Sequence, residues 1–263
     1  MDNLHTYLEV AKAASTEAGN VLKENFGKLS PSMIDEKTKN DFVTDVDKKS
    51  ERIIKDCIKS HFPGHDILAE ESFTERQPSP FLWIVDPLDG TMNYIHGLPN
   101  FAISIALQYK EELLVGLIYE PQREIFYSAI RGEGTFKNNK QIRISQTTAI
   151  NTSLIATGFP FRIKDVLDKY LRVFKELFMH ASGIRRCGSA SLDLAYTADG
   201  IFGGFFECAL SPWDMAAGAL LVKEAGGVVT DFDGNDQYLK TGNIIAGTKT
   251  VHKEMLKIIQ EIF

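Results

Sequence analysis

Phe81-Leu82-Trp83-Ile84-Val85-Asp86-Pro87-Leu88-Asp89-Gly90-Thr91 is the stretch on which the reading of this chain turns. Five apolar residues bounded by a proline predict an interior strand. Pro87 disfavours the helical region at Asp86, so the strand is expected to end there with the carboxylate at its carboxyl edge. Open α/β sheets bind their ligands at that edge. Asp89 falls where a helix would begin, and Gly90 and Thr91 would then offer free N–H groups to an anion. Carboxylates suited to a cation and amides suited to a phosphate share one loop.

Upstream, Leu4, Tyr7, Leu8, Ala11, Ala14, Ala18, Val21 and Leu22 repeat at helical spacing and stop at Gly27, a C-cap glycine. A second helix is predicted from Thr44, with Asp47 at capping-box spacing, to Pro63-Gly64. Strands are then predicted at Ile67 to Ala69, Phe81 to Val85, Phe101 to Tyr109, Leu113 to Tyr119 and Ile125 to Ile130. Asn138-Asn139 reads as a hairpin turn before a strand at Ile142 to Ser145. This half is expected to be mostly antiparallel. Thr74 to Pro80, with its two prolines, reads as a mobile loop beside the acidic pair Glu70-Glu71.

Downstream the pattern alternates, with strands near Leu154 to Thr157 and Ile201 to Phe206. Helices are predicted near Val166 to Met179, Leu192 to Ala198, Trp213 to Ala225 and Val251 to Ile262. That is α/β patterning. No repeat or Pro/Gly/Ser-rich linker divides the chain, so residues 1–263 are expected to form one domain with sub-layers at about 1–150 and 151–263.

Two further acids stand at comparable exits. Glu70 follows the strand Ile67-Leu68-Ala69, and Asp214 lies in Ser211-Pro212-Trp213-Asp214, where serine followed by proline marks a helix start. If these ends converge, Glu70, Asp86, Asp89 and Asp214 meet. Neighbouring carboxylates repel by about 4 kcal/mol per pair at 4 Å and an effective dielectric near 20, so cations are needed to keep them ionised together. Oxygen donors select hard ions, and magnesium combines few carboxylates with waters and phosphate oxygens. The Leu88 carbonyl is a natural extra ligand, and the stretch has no His or Cys for zinc. Each acid also has a structural reading: Asp89 as an N-cap, Asp214 as a first-turn acid, Asp47 as a capping residue.

Composition narrows the classes. Lys and Arg number 29 against 35 Asp and Glu, a net charge of −6, which argues against nucleic acid as a partner held by the overall field. No apolar run approaches the ~20 residues of a membrane helix, and the amino terminus has no signal pattern. A cytoplasmic protein without membrane attachment is expected. Cys57, Cys187 and Cys208 show no pairing spacing and read as reduced thiols, although Arg185-Arg186 beside Cys187 would lower its pKa.

Trp83 to Tyr94 closely resembles the first signature of the inositol monophosphatases. Trp213-Asp214-Met215-Ala216-Ala217-Gly218, continued to Glu224-Ala225-Gly226-Gly227, resembles the second. Asp41 to Asp47 is similar to an early segment of that family, and Ala69-Glu70-Glu71-Ser72 to another, with alanine where glycine is usual. The resemblance covers nearly the whole chain. It implies a layered α-β-α-β-α sandwich of the sugar phosphatase fold and a magnesium-dependent, lithium-inhibited phosphomonoesterase acting as a homodimer. By position it implies Glu70, Asp86 and the Leu88 carbonyl at a first Mg2+, Asp86, Asp89 and Asp214 at a second, and a weaker third near Glu70. Thr91, supported by Asp47, would orient the attacking water with Glu70, and Gly90 and Thr91 would bind the phosphoryl oxygens.

The same resemblance places Ala190 and Glu207 against the ring of inositol 1-phosphate or a related polyol ester. It gives Arg185-Arg186 to a second phosphate, which would suit fructose 1,6-bisphosphate, because arginine binds phosphate bidentately. The structural alternatives are a solvated strand end for Glu207 and a surface ion pair for the arginines. Three other functions stay open. A haloacid dehalogenase type phosphatase would use D-x-D instead of this D-x-x-D. A 3′-phosphoadenosine 5′-phosphate phosphatase shares D-P-L-D-G-T. A regulatory role with a protein partner in the transcription machinery is suggested by the Arg-Arg-x-Gly-Ser-Ala stretch.

Overall fold

Helix-period apolar residues in Leu4–Asn25 (α1) bury Tyr7, Leu8, Ala11, Ala14, Ala18 and Leu22 on one side. Asp45–His61 (α2) starts at Thr44, whose side chain and backbone N–H complete the expected capping box with Asp47. The computed structural model describes residues 4–38, 41–72, 79–147, 149–160 and 164–263. Most of the Thr74 to Pro80 segment, expected to be a mobile loop, lies outside the described residues. Ile34–Thr38 (β1) and Asp41–Thr44 (β2) form an antiparallel ribbon that was not predicted, because its charged residues carry little apolar alternation.

A seven-stranded sheet runs in order β3-β4-β5-β6-β7-β8-β9. Its strands are Asp66–Ala69 (β3), Phe81–Asp89 (β4), Ala102–Tyr109 (β5), Glu112–Glu120 (β6), Ile125–Ile130 (β7), Gly134–Lys137 (β8) and Lys140–Ile142 (β9). Only β3 and β4 pair in parallel; every other pairing is antiparallel. Asn138 and Asn139 take φ values of 44° and 67° and turn the last hairpin, as their identity suggested. The final strand sits earlier than the predicted Ile142 to Ser145, because the turn joins β8 and β9 directly.

A five-stranded mixed sheet has the order β11-β10-β12-β14-β13. It comprises Leu154–Thr157 (β10), Gly183–Arg185 (β11), Gly204–Glu207 (β12), Val228–Thr230 (β13) and Ile244–Gly247 (β14). The helices here are Leu167–His180 (α4), Ala190–Ala198 (α5), Pro212–Glu224 (α6), Tyr238–Thr241 (α7) and Lys249–Gln260 (α8), after the short α3, Thr91–Ile95. β11, β13 and β14 are too short for alternation to show and were not predicted.

Three apolar cores separate five layers. One lies between α1–α2 and the large sheet, one around α5–α6 between the two sheets, and one between the small sheet and α4–α8. This is the expected α-β-α-β-α sandwich, a mixed α+β fold. α6 is buried from Asp214 to Val222 because sheets cover it on both sides. It approaches β6 at Gly116, where a Cβ would stand 2.8 Å from the Ala217 carbonyl oxygen. Among the described residues no helix is long and apolar enough to cross a membrane.

Candidate active site

β4 does not stop at Asp86. Asp86 pairs with Ser104 and Asp89 with Ala102, so β4 carries one residue more than β5 across this interval. That extra residue is a bulge around Pro87, which has no N–H to give the ladder. Residues three apart on a regular strand point to opposite faces; the bulge restores Asp86 and Asp89 to the same one. Asp89 is not the N-cap that its position suggested. Gly90 takes that place, with a φ of 93°, and a Cβ on it would lie 3.0 Å from the Asn100 carbonyl oxygen and 3.3 Å from that of Gly188.

α6 delivers the third acid. Pro212 opens the helix, and Asp214 at its third position accepts the Ser211 N–H through Oδ2 at 2.7 Å. One carboxylate oxygen from each of Asp86, Asp89 and Asp214 lies within 4.8 Å of the others, and all three residues are buried. Burial, then the charges of Glu70, Asp89 and Asp214, push Asp86 well above the usual carboxylate range, against the hydrogen bond from the Leu88 N–H. Burial also raises Asp89, against hydrogen bonds from Ser189 and Ser191. Ser189 Oγ donates to Asp89 Oδ2 at 2.6 Å and the Ser191 N–H at 2.8 Å. Glu70, placed by parallel pairing of β3 with β4, lines the same pocket as these acids and Leu88. Acids that raise one another and offer only oxygen donors fit a hard divalent cation such as magnesium.

Thr91 Oγ1 lies 3.2 Å from Asp47 Oδ1 and 3.0 Å from the Leu88 carbonyl, and its proton is given to one of them at a time. Asp47 also receives the Thr44 N–H at 3.0 Å and the Thr44 hydroxyl. It therefore does both things proposed for it, capping α2 and reaching Thr91. Burial outweighs these bonds and pushes Asp47 up to about 6.

The far side of the pocket comes from the second half of the chain. Ala190, Glu207 and Arg186 line it. Glu207 is buried at the end of β12, not a solvated strand end. It occupies the space of a missing side chain, since a Cβ on Gly158 would fall 1.9 Å from its Oε1. Arg185, expected at the substrate, is exposed and donates to the Ile184 carbonyl at 3.0 Å, outside the pocket lining. Arg185 ends β11, and Arg186, the first residue beyond the strand, is the one that lines the pocket. Cys187 is not activated by them: burial and the Asp193 carboxylate push its thiol up to about 12.

Several supporting residues were not anticipated. Buried Glu51 accepts the Glu71 N–H at 2.7 Å and the Ser72 hydroxyl, fixing the segment after Glu70. Its spacing of four from Asp47 on α2 was a usable signal. Ser50 Oγ donates to the Pro87 carbonyl at 2.9 Å. Ser189 and Ser191 gave no signal, because they act on Asp89 about a hundred residues away, and Asp193 gave none because burial in the pocket is not visible in the sequence.

A model of the inositol monophosphatase family matches residues 3–262. A Neisseria meningitidis serogroup B protein named as a putative Nus factor SuhB is 45% identical over 257 residues, which are 97% of this chain and 98% of that one. The crystal structure of the extragenic suppressor protein SuhB from Bartonella henselae superposes with a TM-score of 0.94 at 37% identity, covering 98% of this chain and 100% of that one. An IMPase/NADP phosphatase complexed with Mg2+ and phosphate gives a TM-score of 0.84 at 26% identity, covering 97% and 95%.

Proposed function

The chain belongs to the inositol monophosphatase family, and we propose that it is a magnesium-dependent phosphatase hydrolysing inositol 1-phosphate and related polyol phosphates. The observation that carries this reading is the group of three buried aspartates, whose oxygens stand within 4.8 Å of one another beside Glu70. Glu70, Asp86, the Leu88 carbonyl, Asp89 and Asp214 would hold two Mg2+, with a third near Glu70; the similar IMPase/NADP phosphatase is complexed with Mg2+ and phosphate. Bound there, the ions supply a water acidic enough to attack at neutral pH and charge to stabilise the departing alkoxide.

The protein groups have separate tasks. Asp47 accepts from Thr91 and holds its hydroxyl toward the loop, where Thr91 and Glu70 orient the attacking water. The Gly90 and Thr91 amides meet the phosphoryl oxygens as charge spreads over them. Glu207 accepts a hydroxyl of the alcohol, Ala190 leaves room for the ring, and Arg186 stands where a second anionic group would arrive. Magnesium-dependent phosphate release from inositol 1-phosphate, fructose 1,6-bisphosphate and 3′-phosphoadenosine 5′-phosphate tests the reading. Inositol 1-phosphate is expected to be turned over best, and preference for either other ester selects that alternative. Incorporation of labelled water oxygen directly into phosphate is expected, whereas a trapped aspartyl-phosphate would sink the mechanism. Lithium inhibition and a homodimer, by sedimentation, belong to the same proposal.

The name Nus factor carried by the Neisseria relative favours a second role. In it the fold docks a protein of the transcription machinery, independently of turnover. A metal-site variant that keeps the cellular phenotype would support it, and one that loses the phenotype with its activity would oppose it.

A further inference from the structure

Asp193 is a buried acid to which the proposed reaction gives no task. It lies in the first turn of α5, lines the same pocket as Ala190, Arg186 and Glu207, and is 1% exposed. The Cys187 thiol favours its ionised form, against the burial that pushes its carboxyl well above the usual range. Its Oδ1 has no hydrogen-bond partner among the described residues. An unpaired buried oxygen costs folding free energy, and proteins keep such atoms where a ligand supplies the missing donor. Glu207 lines the same pocket, and among neighbouring charges Asp193 does most to raise its carboxyl. Pressed against Gly158, Glu207 has little freedom to move away. A carboxyl group offers an acceptor oxygen whether it is neutral or ionised, so two of them side by side match two neighbouring hydroxyls.

We propose that Asp193 determines specificity: beside Glu207 it accepts a second hydroxyl of the leaving alcohol, so that the pocket selects phosphomonoesters of polyols carrying adjacent hydroxyls. The proposal rests on the phosphatase reading of the same pocket and extends it to a residue without a metal or phosphate role. A site built to hydrogen-bond a hydroxyl rejects the analogue that lacks it, because its own buried acceptor then stays unpaired.

The test compares inositol 1-phosphate with cyclohexyl phosphate, which keeps the ring and lacks the other hydroxyls. In Asp193→Ala and in the similarly sized but acceptor-free Asp193→Leu the ratio of kcat/KM for the two esters is expected to fall by about tenfold or more, with the loss in KM for the polyol ester. The melting temperature of the metal-free variants should equal or exceed that of the wild type. An unchanged ratio, or an equal loss on both esters with a lower melting temperature, would overturn the proposal in favour of a purely structural Asp193. Calorimetric binding of myo-inositol gives a second readout that needs no turnover. Binding should weaken by about tenfold in both variants, and equal binding by wild type and variants overturns the proposal. If the wild type releases phosphate from neither ester, the phosphatase reading fails, while inositol binding still decides the role of Asp193.

Discussion

Asp89 carries the largest load of any single residue, since it joins the buried acidic group and receives three hydrogen bonds from Ser189 and Ser191. Asp89→Asn keeps the shape and removes the charge. Turnover is expected to drop by about a hundredfold or more, while circular dichroism and melting show an intact fold; near wild-type activity would remove the metal-site proposal. Residue types here were legible because each works within a few positions of chain. Which arginine of the pair meets the pocket was not, because it depends on where β11 ends and how the chain leaves it.

At the scale of elements, the contact of α6 with β6 is set by Gly116. Gly116→Ala would press a methyl against backbone at Ala217, where no side chain can rotate away, and should cost about 1–3 kcal/mol in urea denaturation. α8 introduces a pH dependence through His252, which is 5% exposed and within 2.9 Å of Thr230 Oγ1. Burial lowers its pKa from 6.5 to about 4. The unfolded chain therefore binds the extra proton first, and stability falls as pH drops from about 6.5 toward 4. The loss reaches about 3 kcal/mol at the acid end. His252→Gln should flatten that part of the melting-temperature profile; an unchanged slope would assign it to other groups. The long helices and the central strands could be read because their periods repeat several times. β1, β11 and β13 were missed because a short or charged strand owes its existence to its neighbour.

In the whole molecule, carboxylates from β4 and from α6 are brought together by the layers that pack around them. Magnesium bound to the native state and not to the unfolded chain should raise the melting temperature, with a gain of about 2.7 kcal/mol at a hundred times its Kd. Chelator should reverse the gain, and Asp89→Asn should abolish most of it; a magnesium-independent melting temperature in the wild type would contradict the proposed site. α5 and α6 contribute to the core between both sheets, so the sub-layers at about 1–150 and 151–263 are expected to unfold in one calorimetric transition. Two resolved transitions would divide the chain into separate domains.

By itself the sequence determined the strand-loop-helix signature, the oxygen-rich ligand types, the capped starts of α2 and α6 and the alternation of layers, all of which follow from local backbone preference and short periodicity. Only the tertiary structure decided that a bulge turns Asp86 and Asp89 to one face, that Arg186 and not Arg185 enters the pocket, that Asp193 lines it and that Glu51 stands behind it. The physical reason is range: a side chain's direction depends on register and its partners on packing, and both are set between residues far apart in the chain.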